Sequence, residues 1–221
     1  DSATMTTPVS LAVDKAGAVY FVDASGLRKL AGGVVSTLKA DQDLINQAYF
    51  LRVLADGSFV YGGAEDVRIL SASGELRAVI DAAMVDRALG LPSGTSAMSI
   101  NGVEVDAAGN IYIADAFHAM LYKYTPTGGL SRFAGTLDLS GYGNGPVGAG
   151  SLTFETGSDL AIDAEGNLYL SGQGAVRKIS AQGVISTPVL AWGRPTVFGI
   201  AVSNGVLYGT IATGVMQTPL P

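Results

Sequence analysis

The chain is predicted to be all-β and built from repeated four-stranded units, on three observations. One unit recurs. Val105-Asp106-Ala107-Ala108-Gly109-Asn110-Ile111-Tyr112-Ile113-Ala114-Asp115 reads as strand, tight turn, strand. Asp bonds its own backbone in such a turn, and Gly and Asn accept positive φ. Ile111, Tyr112 and Ile113 suit a half-buried pleated surface. Next, every copy is followed by a second hairpin. Finally, the distance from the second strand to the third is nearly constant. Four short strands in about 40 to 55 residues fit a propeller blade. The expectation is therefore an all-β propeller of five four-stranded blades in one domain, 1–221, with blades near 8–40, 48–81, 100–135, 157–189 and 197–218.

Taken in order, with strands a to d in each blade, the first a–b unit is Val13-Asp14-Lys15-Ala16-Gly17-Ala18-Val19-Tyr20-Phe21-Val22-Asp23. Its c strand is Leu27–Leu30 and its d strand Val34–Leu38, joined through Gly32-Gly33. A polar connection follows at Lys39–Phe50, with a helical turn expected at Gln42–Gln47. Blade two has a poorer turn, Leu54-Ala55-Asp56-Gly57-Ser58, then Val67–Leu70 and Leu76–Ile80. Asp81–Gly90 reads as a short helix, because Asp81 is a good N-cap and Gly90 a good stop. Blade three is the unit quoted above, followed by Leu121–Tyr124 and Leu130–Phe133. The connection after it, Gly135–Gly157, is the longest and contains Gly141-Tyr142-Gly143-Asn144-Gly145-Pro146. Blade four uses Asp163–Leu170, Val176–Ile179 and Val184–Thr187; its exit carries Trp192, Gly193, Arg194 and Pro195. Blade five has Ala201–Tyr208 and Val215–Thr218 but no fourth strand. The N-terminal residues 2–7, with Ala3–Thr7 at their centre, are expected to supply it and so close the ring; the competing reading is a fragment of a longer propeller.

From strand b to strand c the step is 8 residues at Tyr20 to Arg28, Val60 to Arg68, Tyr169 to Arg177 and Tyr208 to Met216. In blade three, Tyr112 to Tyr122 is 10, and the two extra residues lie beside His118, the single histidine.

Composition narrows the function classes. Charged residues make up 14% and hydrophobic ones 48% of 221 residues, and the net charge is −6. A nucleic-acid binder is expected to carry a basic face, so that partner class is disfavoured. No apolar run approaches the ~18 residues of a membrane span. The chain has no cysteine. Disulfides and thiolate metal sites are thereby removed, and an exported bacterial protein fits. The chain opens at Asp1 rather than Met. That reads as a processed mature protein or part of a larger exported one, secreted, periplasmic or at the cell surface.

Strand-Asp-x-x-Gly-Asn-x-Tyr-x-x-Asp, followed by a c strand with Arg, resembles the NHL-repeat propellers of bacterial type. Phe133-Ala134-Gly135, Gly141-Tyr142-Gly143-Asn144-Gly145 and Phe154 resemble the linker by which that family joins blades. The likeness covers the whole chain at repeat level and is best in blades three and four. Blade two departs from it with Gly62-Gly63 after strand b, blade four with Ser171-Gly172 and blade five with Gly209-Thr210. The resemblance implies the fold and a habit of binding partners on one face, not one activity.

Candidate residues follow the repeat or break it. Asp14, Asp106 and Asp163 recur in the a–b turns; calcium is one reading, but single carboxylates spread over several blades do not converge. They are expected to cap their own turns. Asp23 and Asp115, with Arg28, Arg68 and Arg177, are expected to fix the b–c loops by charge-assisted bonds. His118 breaks the repeat. The preferred reading is an exposed loop residue; ligand contact and catalysis with Asp115 are the alternatives. One histidine does not make a zinc site, and neither metal nor cofactor is implied. Arg52 and Glu104 replace Ala12 and Ala161 in innermost strands. Buried unpaired charge costs several kcal/mol, so they are expected to pair or to reach a central channel.

Connections d–a and b–c lie on the same side of a propeller. That side gathers Phe117, His118, Tyr142, Asn144, Trp192 and Arg194 as partner-binding candidates, since exposed aromatics with polar neighbours mark binding surfaces. The expected function is a non-catalytic, exported binding or scaffold propeller for a protein or glycan. The alternative is a hydrolase or lyase using His118, Asp115 or Glu104 at the channel mouth or on the loop side.

Overall fold

The computed structural model describes residues 7–40, 48–154, 158–172, 175–188, 197 and 199–220. By backbone contacts these fall into two compact units, Asp1–Met84 with Ala107–Gly109, and Val85–Asp106 with Asn110–Pro221.

The first unit holds two antiparallel four-stranded sheets. One consists of β1 (Ser10–Val13), β2 (Val19–Asp23), β3 (Gly26–Ala31) and β4 (Val34–Lys39) in sequence order. The other consists of β5 (Phe50–Val53), β6 (Phe59–Gly62), β7 (Val67–Leu70) and β8 (Leu76–Ile80). Strand β1 lies beside β5. One face of each strand is apolar at a period of two, as burial on one side requires. Ala12, Tyr20, Val22 and Leu27 of the first sheet therefore pack on Leu51, Phe59, Tyr61 and Leu70 of the second.

The second unit holds three sheets. They are β9 (Ile100–Val105), β10 (Ile111–Asp115), β11 (Met120–Thr125) and β12 (Gly129–Gly135); β13 (Leu160–Ile162), β14 (Leu168–Gly172), β15 (Ala175–Ile179) and β16 (Ile185–Ser186); and β17 (Gly199–Ser203), β18 (Val206–Ile211) and β19 (Gly214–Pro219). Innermost strands again neighbour one another, β9 beside β13 and β13 beside β17. Tyr112, Ala114, Leu121 and Ala134 pack on Leu160, Leu168, Leu170 and Ile179. Ala161, Tyr169 and Val176 pack on Val197, Ile200 and Leu207. The sheets are five successive blades of an all-β propeller. The fifth has three strands among the described residues. The closing strand expected from residues 2–7 falls outside them except for Thr7, as does the helical turn expected at Gln42–Gln47.

Helix α1 (Ala82–Leu89) forms where expected. Asp81 Oδ1 accepts the Met84 N–H at 3.1 Å, and Gly90 stops the helix at φ 72°. Asp86 of α1 is buried and accepts from the N–H groups of Gly94 (2.7 Å), Thr95 (3.3 Å) and Ser96 (2.8 Å), tying the loop to the helix.

The repeated Asp does cap its own turn. Asp163 Oδ1 accepts the Glu165 and Asn167 N–H groups, while Oδ2 accepts Asn167 Nδ2 and the Tyr169 hydroxyl at 3.0 Å. Asp106 does the same for Asn110 and Tyr112 (3.1 Å), and Asp14 for Ala16, Ala18 and Tyr20 (3.0 Å). The lysine paired with each tyrosine across the b–c ladder lies over its ring: Lys29 on Tyr20 at 5.2 Å, Lys123 on Tyr112 at 5.1 Å, Lys178 on Tyr169 at 5.7 Å. A carboxylate so filled by its own turn has no lone pairs aimed at a shared ion. Among the described residues no group of three or more His, Cys, Asp or Glu is placed to hold a metal.

Candidate functional site

The b–c loop of blade three is two residues longer than that of blade one: Asp115 pairs with Met120 across it, where Asp23 pairs with Gly26. The extra length turns the loop inward at Ala119, which has φ 55°. His118 is thereby carried under the loop and is 3% exposed, against the expectation of an exposed side chain. Its Nδ1–H donates to Asp115 Oδ2 at 2.7 Å. Asp115 is wholly buried; its Oδ1 also accepts the N–H groups of Ser99 (2.9 Å) and Phe117 (3.1 Å). The ring sits between Phe117 (4.8 Å) and Tyr122 (6.5 Å), both edge to face. A buried carboxylate on Nδ1 fixes that tautomer. Burial, the filled carboxylate and the stacked rings all describe a loop anchor. Phe117 above it is 55% exposed.

The long connection after blade three is held to the same side. Its Asp138 N–H bonds the His118 carbonyl at 3.0 Å, so a d–a connection and a b–c loop meet. Gly135 lets them approach: a Cβ there would lie 2.6 Å from the Ala119 carbonyl oxygen, and its φ is 96°. Further on, the glycine-rich loop lies on blade four. Gly145 bridges Ile185 of β16 in an antiparallel pair, and Ser151 Oγ accepts the Gly143 N–H at 2.9 Å.

Beneath that loop is Arg177 of β15, itself 3% exposed. Its guanidinium donates to the carbonyls of Gly141 (3.4 Å) and Gly143 (2.9 Å) and to Asn144 Oδ1 (3.2 Å). Burial pushes its pKa below the ordinary arginine value. The Tyr142 ring covers it at 5.7 Å, a cation–π contact, and stays 53% exposed. Asn144 also accepts from the Thr187 hydroxyl at 3.1 Å.

Of the partner-binding candidates, the structure therefore places Phe117 and Tyr142 as exposed aromatics on braced loops, Asn144 as an exposed amide tied to Arg177, and His118 beneath the surface. Trp192 and Arg194 lie outside the described residues. Arg52 and Glu104 are half-buried, and Arg52 Nη1 donates to the Leu51 carbonyl at 3.0 Å. Arg177 was read from the sequence as a b–c loop clamp. Its partner in this role, the loop 34 to 36 residues earlier, carried no local signal.

A second concavity was not anticipated. A cleft of about 590 Å³ opens on the side of the a–b turns, lined by Glu165, Asn167, Lys178, Ser203, Asn204 and Leu220 among others. The signal available was the shorter turn of blade five, Ser203-Asn204-Gly205, which leaves space beside the fuller turn of blade four.

Solved structures over nearly the whole chain share the fold. A streptogramin B lyase superposes with TM-score 0.65 at 17% identity, covering 100% of this chain and 71% of its own. The virginiamycin B lyase of Staphylococcus aureus gives 0.62 at 14%, covering 98% and 71%. An auxiliary nutrient binding protein of Bacteroides thetaiotaomicron gives 0.66 at 10%, covering 98% of this chain and 60% of its own. At these identities the likeness is one of fold. No protein-family model matches the chain. No curated protein matches it either.

Proposed function

We propose that the chain is an exported, non-catalytic binding propeller of NHL type, which recognises a protein or glycan through the loops on the d–a and b–c side of blades three and four. One observation carries the reading: Tyr142 is held half in water on a loop whose carbonyls are bound from below by a buried arginine. A pre-ordered aromatic loses little entropy on binding and offers a flat apolar face with polar neighbours, the composition of an interface hot spot. Phe117, braced by His118, adds a second such surface. Fold-level likeness to an auxiliary nutrient binding protein supports the binding class. Likeness to lyases keeps an enzyme as the second reading, for which the Asp115–His118 pair is the candidate. Both side chains of that pair are buried, whereas a catalytic pair requires an open approach.

The test is a screen of glycans and extracellular peptides against the purified chain, with Tyr142→Ala and Phe117→Ala in parallel. A ligand whose affinity falls tenfold or more, roughly 1.4 kcal/mol, in either variant supports the reading. A ligand bound equally by both moves the site elsewhere. Turnover of a lyase or hydrolase substrate that disappears in His118→Ala, with the variant still folded, replaces binding by catalysis.

A further inference from the structure

The cleft on the side of the a–b turns lies within the second unit, between blades four and five. Two departures from the repeat open it. The turn of blade five is the shorter: Ser203 pairs with Val206 across it, where Ile162 pairs with Leu168 in blade four. The other departure is an aromatic ring. In blade three the Lys123 ammonium lies over Tyr112 at 5.1 Å and over Phe133 at 5.8 Å, and the two rings meet edge to face at 5.0 Å. Phe133 stands two residues beyond Ser131, the cross-strand partner of Lys123. In blade four the partner of Lys178 is Ser186, and two residues beyond it stands Pro188. Lys178 therefore has one ring, Tyr169 at 5.7 Å, and the cleft beside it.

The polar groups along the cleft fall into two sets. Asp163 and Asn167 are spent on the fold. Asp163 fills both oxygens within its own turn. Asn167 Nδ2 donates to Asp163 at 2.9 Å, and its Oδ1 accepts the Ala181 N–H at 3.3 Å. The side chains of Glu165, Lys178, Ser203 and Asn204 make no hydrogen bond and no ion pair among the described residues. Blade four thus brings a carboxylate that only accepts and an ammonium that only donates, and blade five a hydroxyl and an amide that do both. Val202 adds an apolar wall. The volume, about 590 Å³, suits a small ligand.

We propose that this cleft is a binding site for a mono- or disaccharide, separate from the loops on the d–a and b–c side. A hydroxyl both donates and accepts. One sugar ring with neighbouring hydroxyls can therefore satisfy Glu165, Lys178, Ser203 and Asn204 together, while its C–H face rests on Val202. A simple anion would meet Lys178 but also the carboxylates of Asp163 and Glu165, and like charges side by side select against it.

The test is amide NMR of the whole chain titrated with glucose, galactose, N-acetylglucosamine, maltose and cellobiose, and with glutamine as a zwitterion of similar size. At least one sugar is expected to shift the amides of residues 164–167, 178 and 203–205 saturably and to leave 141–145 unmoved. Glu165→Ala and Asn204→Gly are each expected to weaken that sugar about tenfold, with an unchanged melting temperature. Glu165 is exposed, and Asn204 holds φ 50°, which glycine adopts freely. No saturable shift with any of the sugars overturns the proposal. Sugar shifts confined to 141–145 overturn it while supporting the Tyr142 site. Glutamine bound in the cleft more tightly than every sugar, or a sugar held equally by both variants, overturns it as well. Ser203→Ala takes the place of Asn204→Gly should that variant fail to fold.

Discussion

The b–c loops of blades one and three begin alike and end differently. In blade one, Asp23 accepts the Ser25 N–H at 2.8 Å and the Arg28 guanidinium at 3.3 Å, and Arg28 stands opposite Phe21. In blade three the residue opposite Ile113 is Tyr122, so strand c offers Asp115 a tyrosine at the place where Arg28 stands in blade one. The two inserted residues bring His118 instead, at 2.7 Å. A buried carboxylate left with unmet capacity is expensive. The insertion supplies a replacement donor from the loop when the strand no longer offers one. The residue that breaks the repeat meets the same need that the repeat meets elsewhere. Blade four gives a third solution: Gly172 stands where the aspartate would, and Arg177, opposite Leu170 as Arg28 is opposite Phe21, turns to the carbonyls of Gly141 and Gly143.

The largest expected effect separates the two aspartates. Asp115→Ala strands the part-buried Ser99 and Phe117 N–H groups and the buried His118 Nδ1, and at about 1–3 kcal/mol for each buried donor left unmet a destabilisation of about 3 kcal/mol is expected. Asp23→Ala strands the Ser25 N–H and Arg28, which retains 11% side-chain exposure, and about half as much is expected. Urea unfolding of both variants measures the difference. Equal losses would mean that His118 is no better an anchor than Arg28.

Arg177→Ala comes next. Its bonds to Gly143 and Asn144 are charge-assisted, worth about 1.5–3 kcal/mol in stability. Their loss is expected to show first in residues 141–146, as faster amide exchange, with blade one unchanged. Uniform acceleration across both units would assign Arg177 to the core rather than to the loop.

Acid is expected to act on the turns before the loops. The Ala18 N–H holds the Asp14 carboxyl below the usual carboxylate range, burial opposes this in part, and Tyr20 and Ala16 add to it. Backbone and side-chain bonds from Ser58 do the same for Asp56. Asp86 is lowered by the Ser96 hydroxyl beside it, which falls short of hydrogen-bond geometry, and by the N–H groups of Ser96, Gly94 and Thr95. A folded pKa below the unfolded value gives stability that is present above the unfolded pKa, about 4, and lost as pH falls through the folded one. Melting temperature is therefore expected to be level between about pH 5 and 7 and to fall below about pH 4. In Asp86→Asn the plateau is expected to drop by on the order of 5 °C and the acid slope to become shallower.

Much of this was legible in the residues, and the limits are physical. The blades were, because the Asp-Gly-Asn turn and the alternation of apolar residues are local and repeat in the same register. The capping role of Asp14, Asp106 and Asp163 was legible for the same reason: each carboxylate bonds within six residues of itself. The burial of His118 was not. Two inserted residues can carry a side chain outward or inward, and the choice depends on what stands opposite Ile113 on the next strand. The grip of Arg177 on the 141–144 loop was hidden because it joins segments more than thirty residues apart. Tyr142 showed as an aromatic on a glycine-rich loop, a residue type that points to binding, but its support came from below.

The smallest effect tests the same contrast at the level of one hydroxyl. Tyr122 and Tyr169 are both fully buried. The Tyr169 hydroxyl donates to Asp163 at 3.0 Å, whereas the Tyr122 hydroxyl has no hydrogen-bond partner among the described residues. Burial pushes both above the ordinary phenol range, with Asp115 and Asp138 adding to the rise at Tyr122 and Asp163 at Tyr169. Tyr169→Phe removes a satisfied bond and leaves Asp163 one donor short, a loss of about 1 kcal/mol. Tyr122→Phe removes a group that gave up its water and received nothing, so its expected effect is neutral to stabilising by up to about 1 kcal/mol. Thermal unfolding of the pair decides it. A clear loss in Tyr122→Phe would mean that the hydroxyl is bonded in solution, and the space between Tyr122 and His118 would then be polar rather than sealed.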